Sequence, residues 1–304
     1  MAGNASVLKR ARFSQAERKE WILFAILVGP NLFLFSVFTY WPLIYSGYLS
    51  MVRWDFLGPK IWVGLGNYRH LFTQDDFLLV LWNTTVFTAS AVGTICGVGL
   101  LVALLLNRPL RWREGVRAVV FSPVMLSGAA MGIVWLFILD PRYGLLDILL
   151  GYIGLDSPNW LLDTKWAMAA VIIVHVWKNL GYAVVIFLAG LQAIPKDLYE
   201  AALVDGAGAF GRFRAVTLPG LSPIFFFLFV TTMLASFQSF DIIHVMTEGG
   251  PVNATTTLIY NLYDEAFKAT RAGRAAVSAV VLFIGMFVIT LIQMRYSDRH
   301  VHYA

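Results

Sequence analysis

Residues 77–106 read FLLVLWNTTVFTASAVGTICGVGLLVALLL and contain no charged side chain. A helix needs about 20 mostly apolar residues to cross the hydrocarbon core of a bilayer, and this run exceeds that length. The run is continuously apolar and lacks the alternation over about 10 residues that is typical of outer-membrane β-barrel strands. It therefore predicts a transmembrane α-helix.

Similar apolar runs occur on both sides of this segment. The composition agrees with them, since 59% of the 304 residues are apolar, against about 45–50% in soluble domains. Only 13% of the residues are charged, about half the usual share of about 25%. One soluble core cannot hide that much apolar side chain, so soluble, disordered, collagenous and disulfide-scaffold classes are excluded. We expect an all-α integral membrane protein with six transmembrane helices, the other five being residues 21–50, 118–139, 166–192, 221–240 and 275–294.

The charged residues predict an orientation in the membrane. If both termini are cytoplasmic, the inside segments carry most of the lysines and arginines, and the outside loops carry most of the aspartates and glutamates. This is the asymmetry that the positive-inside rule describes. Because the basic residues are spread over several loops, they do not predict nucleic-acid binding. The first run is longer than the apolar core of about 7–15 residues in a signal peptide, which indicates a retained anchor.

Motifs for bond chemistry are absent from the sequence. It has no GxxxxGK[ST] phosphate loop, no HExxH, no CxxC and no GxSxG. Its five histidines lack metal-ligand spacing, and the single cysteine, Cys96, is interpreted as a small buried side chain. No predicted span has a carboxylate at its middle, which argues against a proton-driven carrier. We therefore expect no catalytic residue, no metal and no cofactor.

Residues 194–223, IPKDLYEAALVDGAGAFGRFRAVTLPGLSP, form the most informative loop. Pro195 suits the first turn of a helix, and Gly206 and Gly208 end that helix or bend the chain after it. Phe210 and Phe213 then give the next segment an apolar face. The residues alone predict a short helix, a glycine bend and a second short amphipathic helix on the cytoplasmic side. An interfacial helix lying on lipid headgroups is equally compatible with the composition.

The order of residues in this loop resembles the EAA loop of binding-protein-dependent ABC importer permeases. The resemblance rests on EAALVDG at 200–206, on the following phenylalanine and on TLP at 217–219. It implies that the loop, residues 194–220, docks in a groove of a cytoplasmic ATPase subunit, where small residues permit close contact. The implied coupling residues are Glu200, Ala201, Ala202, Asp205, Gly206, Gly208, Phe210, Arg212, Phe213 and Pro219.

Other segments extend the resemblance over nearly the whole chain. VGLGNYRHLF (63–72, with Gly66 where the family commonly has Asp), DPRYGLLD (140–147) and TEGGPVNATTTLIYNLYDEAF (247–267) are similar to segments of the carbohydrate-uptake permeases. The last of these and the ending MRYSDRHVHY (294–303) most resemble the A permeases of glycerol-3-phosphate importers. The resemblance implies a type I ABC importer permease fold with a permease domain at 21–294 between cytoplasmic tails at 1–20 and 295–304.

The same resemblance implies the protein's surroundings. We expect a multi-pass protein of a bacterial cytoplasmic membrane that transports glycerol-3-phosphate or glycerophosphodiesters. Its implied partners are a second, unlike permease subunit, a cytoplasmic ATPase dimer and an extracytoplasmic solute-binding protein. Permeases for a di- or oligosaccharide such as maltose or trehalose are the alternative, because they share the Gly-Gly-Pro loop. A membrane-embedded transferase and a secondary carrier are alternatives of another class.

Polar and aromatic residues near or within the spans suggest a substrate path. Polar groups at membrane depth usually face the protein interior or a water-filled cavity, but a snorkelling lysine, an aromatic belt and helix-end solvation explain the same residues. The candidates are Trp177, Lys178, Tyr182, Gln238, Asp241 and His244. The spacing of the last three predicts that Gln238 and Asp241, and less directly His244, share one helical face if the helix persists. The Gly-Gly-Pro turn predicts a loop with unusual backbone angles, and the resemblance implies contact with the solute-binding protein. Those contact residues are Thr247, Glu248, Gly249, Gly250 and Pro251.

Overall fold

The computed structural model of the chain describes residues 15–108 and 111–300. Most of the predicted N-terminal tail, 1–20, and the end of the C-terminal tail, 295–304, lie outside these residues. Within them, four helices are long and apolar enough to cross a membrane: Lys19–Ser50, Asp75–Leu106, Thr164–Ala193 and Ala272–Arg295. These agree with the first, second, fourth and sixth spans predicted from the sequence.

The first span is built from α1 (Gln15–Phe35), a π-helical turn (Ser36–Tyr40) and α2 (Trp41–Ser50). None of the residues in its most apolar window is buried within the chain. Its second half lies against the last helix, whereas large apolar side chains such as Leu27 and Phe38 are exposed. This span therefore presents an apolar surface to whatever surrounds the chain.

A two-stranded hairpin follows the first span, with β1 (Val52–Arg53) antiparallel to β2 (Ile61–Trp62). The short α3 (Gly66–Phe72) then leads into α4 (Asp75–Leu106), which is the second span. We call the side of the bundle that carries this hairpin the hairpin face. The loops 139–163 and 238–271 lie on the same side, while residues 107–108, 111–112 and 194–221 lie on the opposite face.

The predicted third span is not one straight helix. It consists of α5 (Arg113–Phe121), a 3-10 turn (Ser122–Met125) and α6 (Gly128–Ile138), and the two helices meet at 106°. The expectation of a continuous helix over 118–139 is therefore wrong. Proline lacks the N–H for a helical hydrogen bond, and Pro123 lies in the 3-10 turn. A new helix starts where Ser127 Oγ accepts from the Ala130 N–H at 3.2 Å.

The remaining helices complete the bundle. The short α7 (Leu145–Tyr152) precedes α8 (Thr164–Ala193), the fourth span. The opposite face carries α9 (Lys196–Val204) and then an irregular helix of α10 (Ala209–Arg212), a π turn (Phe213–Thr217) and α11 (Leu218–Gly220). This irregular helix meets α12 (Ser222–Phe237) at 61°, and α12 itself is shorter than the predicted span, 221–240. The chain ends through α13 (Asp241–Met246), α14 (Leu258–Tyr263), a π turn (Asp264–Lys268) and α15 (Ala272–His300).

The largest core cluster joins α4, α8 and α12. A side chain on Gly99 would stand only 3.1 Å from Ala183 Cβ, so the glycine allows α4 and α8 to approach closely. Phe187 of α8 contacts Phe225 edge-to-face, with ring centroids 4.8 Å apart. Cys96 is buried in this cluster as a free thiol, as predicted. The core therefore fixes the end of α8 and the start of α12, between which the loop at 194–221 runs.

Candidate functional site

The loop between α8 and α12 has the predicted helix, bend and second helix. Ile194 and Pro195 are extended, α9 then runs to Val204, and Gly206 adopts a left-handed φ of 78°. The Gly206 N–H donates to the Leu203 carbonyl at 3.0 Å, and the Ala207 N–H donates to the Ala202 carbonyl at 2.9 Å. This pair of bonds is a Schellman cap, in which glycine provides the left-handed residue without steric cost. The short helix therefore ends at a defined place.

The two ends of the loop, at the end of α8 and at the start of α12, contact each other. An added side chain on Gly220 would stand 2.9 Å from Ile194 Cδ1, and one on Gly190 would stand 2.7 Å from Ile224 Cγ1. The Tyr199 and Thr217 hydroxyls share a hydrogen bond of 3.0 Å that joins α9 to the π turn. The loop is thus attached to both α8 and α12.

The end of α8 is also linked to α5. With its amide oxygen turned toward the arginines, Gln192 accepts from Arg113 Nη2 at 2.7 Å and from Arg117 Nη2 at 3.2 Å. Hydrogen bonds to charged groups are among the stronger ones in proteins. The opposite face therefore connects α5, α8, α9 and α12.

The tip of this loop exposes apolar side chains. Val204 is 88% exposed and Phe210 is 74% exposed, and Leu203 and Leu198 are exposed beside them. Gly208 has a negative φ and open space where a side chain would stand, so the fold of this chain does not itself require glycine there. We call Leu198, Leu203, Val204 and Phe210 the apolar tip.

The predicted coupling residues divide into two groups. Phe213 and Ala202 pack inward against the main core cluster, and Arg212 is partly buried. The others are exposed around the apolar tip and on the following helix: Glu200, Ala201, Asp205, Gly206, Gly208, Phe210 and Pro219. The inward group fixes the loop, and the exposed group forms its free surface.

The predicted substrate-path residues do not form one cluster. Trp177 of α8 contacts Trp135 of α6 edge-to-face at 5.5 Å and is 41% exposed. Tyr182 lines a small cavity on the other side of α8 from Trp177. Lys178 is partly buried and has no ion pair among the described residues.

The expected helical face through Gln238, Asp241 and His244 is interrupted. The α12 helix ends at Phe237 and α13 starts at Asp241, so Gln238 lies in the break and does not share a helix with the other two. The Asp241 carboxylate lies against Gly128 at the first turn of α6, where a negative charge is favourable. His244 is stacked on Phe240 at 5.1 Å. Asp241 and His244 therefore contribute to packing within the bundle.

A buried polar cluster at membrane depth joins α8 to α12 and to the residues after it. His175 is 3% exposed, and its Nδ1 lies 3.1 Å from Ser239 Oγ while its Nε2 lies 3.3 Å from Ser236 Oγ. Asn179 Nδ2 donates to the His175 carbonyl at 2.8 Å. A cavity of about 60 Å³ lies beside them, and Tyr182 lines it. Sequence reasoning missed this cluster, because Ser236 and Ser239 are more than 60 residues from His175 in the chain. The four-residue spacing of His175 and Asn179 on one helical face is a local signal that could have indicated part of it.

The Gly-Gly-Pro loop on the hairpin face is held from below by α4. Asn83 Nδ2 donates to the Asn253 carbonyl at 2.8 Å and to the Thr256 carbonyl at 3.2 Å. Gly249 has a left-handed φ of 81°, and its carbonyl accepts from Thr256 Oγ1 at 2.9 Å. These bonds hold the loop against α4, and Gly249 has the unusual backbone angle that the sequence predicts.

The predicted contact residues in this loop differ in exposure. Gly249 is buried, whereas Thr247, Gly250 and Pro251 are partly exposed and Glu248 is exposed. Lys268 Nζ lies 3.8 Å from Glu248. Nearby, burial raises the pKa of Glu265, and Arg271 and Arg274 oppose that rise.

Three comparisons with known proteins place these features in context. A family model described as binding-protein-dependent transport system inner membrane component matches residues 95–303. The sn-glycerol-3-phosphate transport system permease proteins UgpA of Agrobacterium fabrum and Brucella abortus are each 36% identical to this chain, covering 93% of it and 97% of their own length. A chain in the crystal structure of a bacterial ABC transporter involved in import of the acidic polysaccharide alginate superposes with a TM-score of 0.82. It is 25% identical, and the match covers 95% of this chain and 99% of that chain.

Proposed function

Since the chain belongs to the family of inner membrane components of binding-protein-dependent transport systems, we propose that it imports glycerol-3-phosphate or a glycerophosphodiester as one permease subunit of an ATP-driven complex. It has the type I ABC importer permease fold and is a transport component rather than an enzyme. The observation that carries the proposal is the loop at 194–220, which exposes an apolar tip and is attached to two spans. Such a loop fits a device that passes movement into the membrane.

The cytoplasmic ATPase is the proposed occupant of the apolar tip. Exposed apolar side chains on a rigid helix are typical of protein contact sites. Gly208 supports this assignment, because it leaves room for a close approach that no described residue of this chain uses. Glu200 and Asp205 add charge at the margin of the tip. The closed, ATP-bound dimer would bind one orientation of the loop better than the other, which shifts the conformational equilibrium.

The broken third span supports a second permease subunit. Met125, the last residue of the 3-10 turn, is 75% exposed, and Leu126, the extended residue after it, is 50% exposed. Irregular backbone at membrane depth is tolerated only where protein buries it or where it lines water. We assign this side to an unlike permease partner and to the water-filled path between the two subunits. The buried cluster around His175 and Asn179, with Tyr182, lies on the elements that border the path.

The hairpin face is proposed to be extracytoplasmic, with both termini cytoplasmic. This arrangement presents Glu248, Pro251 and the rest of the Gly-Gly-Pro loop to the solute-binding protein. A groove of about 520 Å³ runs beside that loop, between it and residues 136–162. The rigid support from Asn83 suits a loop that must keep its shape when a partner docks.

The substrate assignment is supported by the names of the relatives. Both are permeases for sn-glycerol-3-phosphate, and the structural neighbour belongs to an importer of an acidic polysaccharide. We propose Lys178 as an attraction site for the anion, because it is partly buried and has no ion pair among the described residues. Trp177, Tyr182 and Gln238 are separate candidates for the path. Asp241 and His244 act by holding α6 and the residues after α12 in place.

The proposal is tested with the assembled complex and its solute-binding protein in nanodiscs. ATPase activity is measured with glycerol-3-phosphate, glycerophosphocholine, maltose and trehalose, and with a Lys178→Gln variant. Stimulation by the phosphate esters alone is expected. Stimulation by a disaccharide alone would keep the importer and overturn the substrate. Glycerol-3-phosphate uptake by this chain without any ATPase subunit would overturn the importer itself.

A further inference from the structure

A cavity of about 610 Å³ opens on the hairpin face, and two of its lining residues, Arg271 and Arg274, also line a neighbouring cavity that reaches Glu248 and Asn253 of the Gly-Gly-Pro loop. Its walls are the hairpin at 53–63, the start of α3 and the first turn of α15. This volume lies within the range of about 300–1,000 Å³ that is usual for small-molecule sites. The functions described so far give this cavity no role.

The charges that line the cavity are mostly positive. Arg53, Arg271 and Arg274 contribute to its lining, and Asp55 is the only carboxylate among the described lining residues. Asp55 Oδ1 already accepts from the Gly58 N–H at 2.8 Å and from the Leu57 N–H at 3.3 Å. The three guanidinium groups therefore outweigh one carboxylate that is engaged with its own turn.

Two of the three arginines lack an ion pair. Arg271 Nη1 lies 3.7 Å from Glu265 Oε1 and is partly neutralised by it. Among the residues that the structure describes, Arg53 and Arg274 have no carboxylate within 4.0 Å, although the Glu265 carboxylate lies near enough to Arg274 for their charges to interact. Arg274 is half-buried, which makes an anion at its guanidinium more favourable than at a fully exposed arginine.

The cavity has a rigid floor. Asn67 Nδ2 donates to the Ser50 carbonyl and to the Val52 carbonyl, both at 2.9 Å. The backbone of Gly273 lies so close to the Val52 carbonyl that any side chain would collide with it. On the far side, Trp54 Nε1 donates to the Gly58 carbonyl at 3.1 Å and closes the hairpin loop. The arginines are thus carried by elements that are tied to one another.

We propose that this cavity binds a phosphate mono- or diester between Arg53 and Arg274, and we call it the arginine pocket. A guanidinium presents a planar fork of N–H donors that matches two phosphate oxygens, and such charge-assisted pairs are strong. Freely diffusing glycerophosphate and a phospholipid headgroup carry the same ester. Binding of free glycerophosphate rests on the proposed function, whereas binding of a phospholipid headgroup does not. A pocket on this face would concentrate phosphate esters where transport begins.

The experiment compares the wild-type complex with R53Q/R274Q, with R53K/R274K and with R69Q. Arg69 lies on α3 close to the pocket but does not line it, so R69Q is the matched control for loss of charge. Equilibrium binding of radiolabelled glycerol-3-phosphate is measured in nanodiscs without the solute-binding protein. Retention of phosphatidylglycerol is measured in parallel by native mass spectrometry, and thermal unfolding confirms that each variant is folded.

We expect R53Q/R274Q to lose about tenfold in affinity for one of the two phosphate esters, as charge-assisted hydrogen bonds of this kind suggest. R53K/R274K should lose less, because it keeps the charge without the fork, and R69Q should match the wild type. Loss of glycerol-3-phosphate binding identifies the free ester, and loss of phosphatidylglycerol identifies the lipid. Unchanged binding of both esters in folded R53Q/R274Q, or equal losses in R69Q, overturns the pocket. If only disaccharides stimulate the ATPase, the proposed substrate fails while the lipid measurement still decides the pocket.

Discussion

Replacing Phe210 with alanine should weaken assembly with the ATPase subunit while leaving the fold of the permease unchanged. Phe210 stands at the apolar tip and is 74% exposed. Since it buries little within its own chain, its truncation leaves no cavity in the core. Whatever free energy is lost must come from contact with a partner.

The size of the loss follows from the exposed area. A buried phenylalanine covers about 200 Å², so docking would remove about 150 Å² of this side chain from water. At about 25 cal/mol per Å² this amounts to about 4 kcal/mol, an upper value for a side chain that is completely covered. Truncation of a central interface residue commonly costs about 2 kcal/mol or more. We expect a loss of about 2–4 kcal/mol, which weakens the dissociation constant about 30-fold to several hundredfold.

The assay is titration of fluorescent ATPase subunit against the assembled permease in nanodiscs. Phe267 offers a matched control, because it is 72% exposed on the hairpin face. F267A should bind the ATPase as the wild type does, and both variants should unfold at the wild-type temperature. Wild-type affinity in F210A would refute the assignment of the apolar tip, and so would an equal loss in F267A.

Three further predictions concern the links inside the chain. Tyr199→Phe removes the 3.0 Å hydrogen bond to Thr217, which is worth about 0.5–1.5 kcal/mol. It should lower the amount of substrate imported per ATP hydrolysed, while the dissociation constant of the ATPase subunit stays the same. An unchanged ratio of import to ATP hydrolysis would contradict the role of this bond. Gly132→Ala places a methyl group 2.9 Å from Val245 and should destabilise the chain by about 1–3 kcal/mol in thermal unfolding, whereas no change would show that α6 shifts without cost. Because burial raises the pKa of Glu265, the folded state binds the Glu265 proton more tightly than the unfolded state does. This group therefore stabilises the fold below the ordinary glutamate pKa of 4.5. It loses that contribution as the pH rises through its folded pKa. Glu265→Gln should therefore reduce the fall in unfolding temperature between about pH 4.5 and pH 7.5, and an unchanged fall would contradict this sign.

Local sequence signals predicted those elements that one segment determines by itself. Continuous apolar runs located the long spans, since each needs only its own length and composition. Pro195 and Gly206 located the short helix on the opposite face, because a cap depends on residues within one turn. The prediction of one continuous third span was wrong at residues 122–127, because the segment is apolar throughout. Pro123 alone did not indicate that the helix is interrupted there.

Contacts between distant residues could not be predicted from spacing. His175 meets Ser236 and Ser239 only because α8 and α12 cross at that depth. Asn83 reaches a loop that is 170 residues further along the chain. The expected helical face through Asp241 failed for a related reason: the helix ends where the chain must turn to place the carboxylate against α6. Those positions depend on packing, which no single segment encodes.

The broken third span has a mechanical consequence. On one side of the break, α5 is linked to the end of α8 through Gln192 and its two arginines, so it follows the loop that the ATPase would push. On the other side, α6 is locked to α13 at Gly132 and follows the hairpin face. If α5 and α6 move separately, residues 122–127, a 3-10 turn followed by two extended residues, are the place where a rotation would be absorbed, although α8 packs against both helices. A movement of α5 on one side of the membrane would then rotate the chain at residues 122–127 and open or close the bundle on the other side.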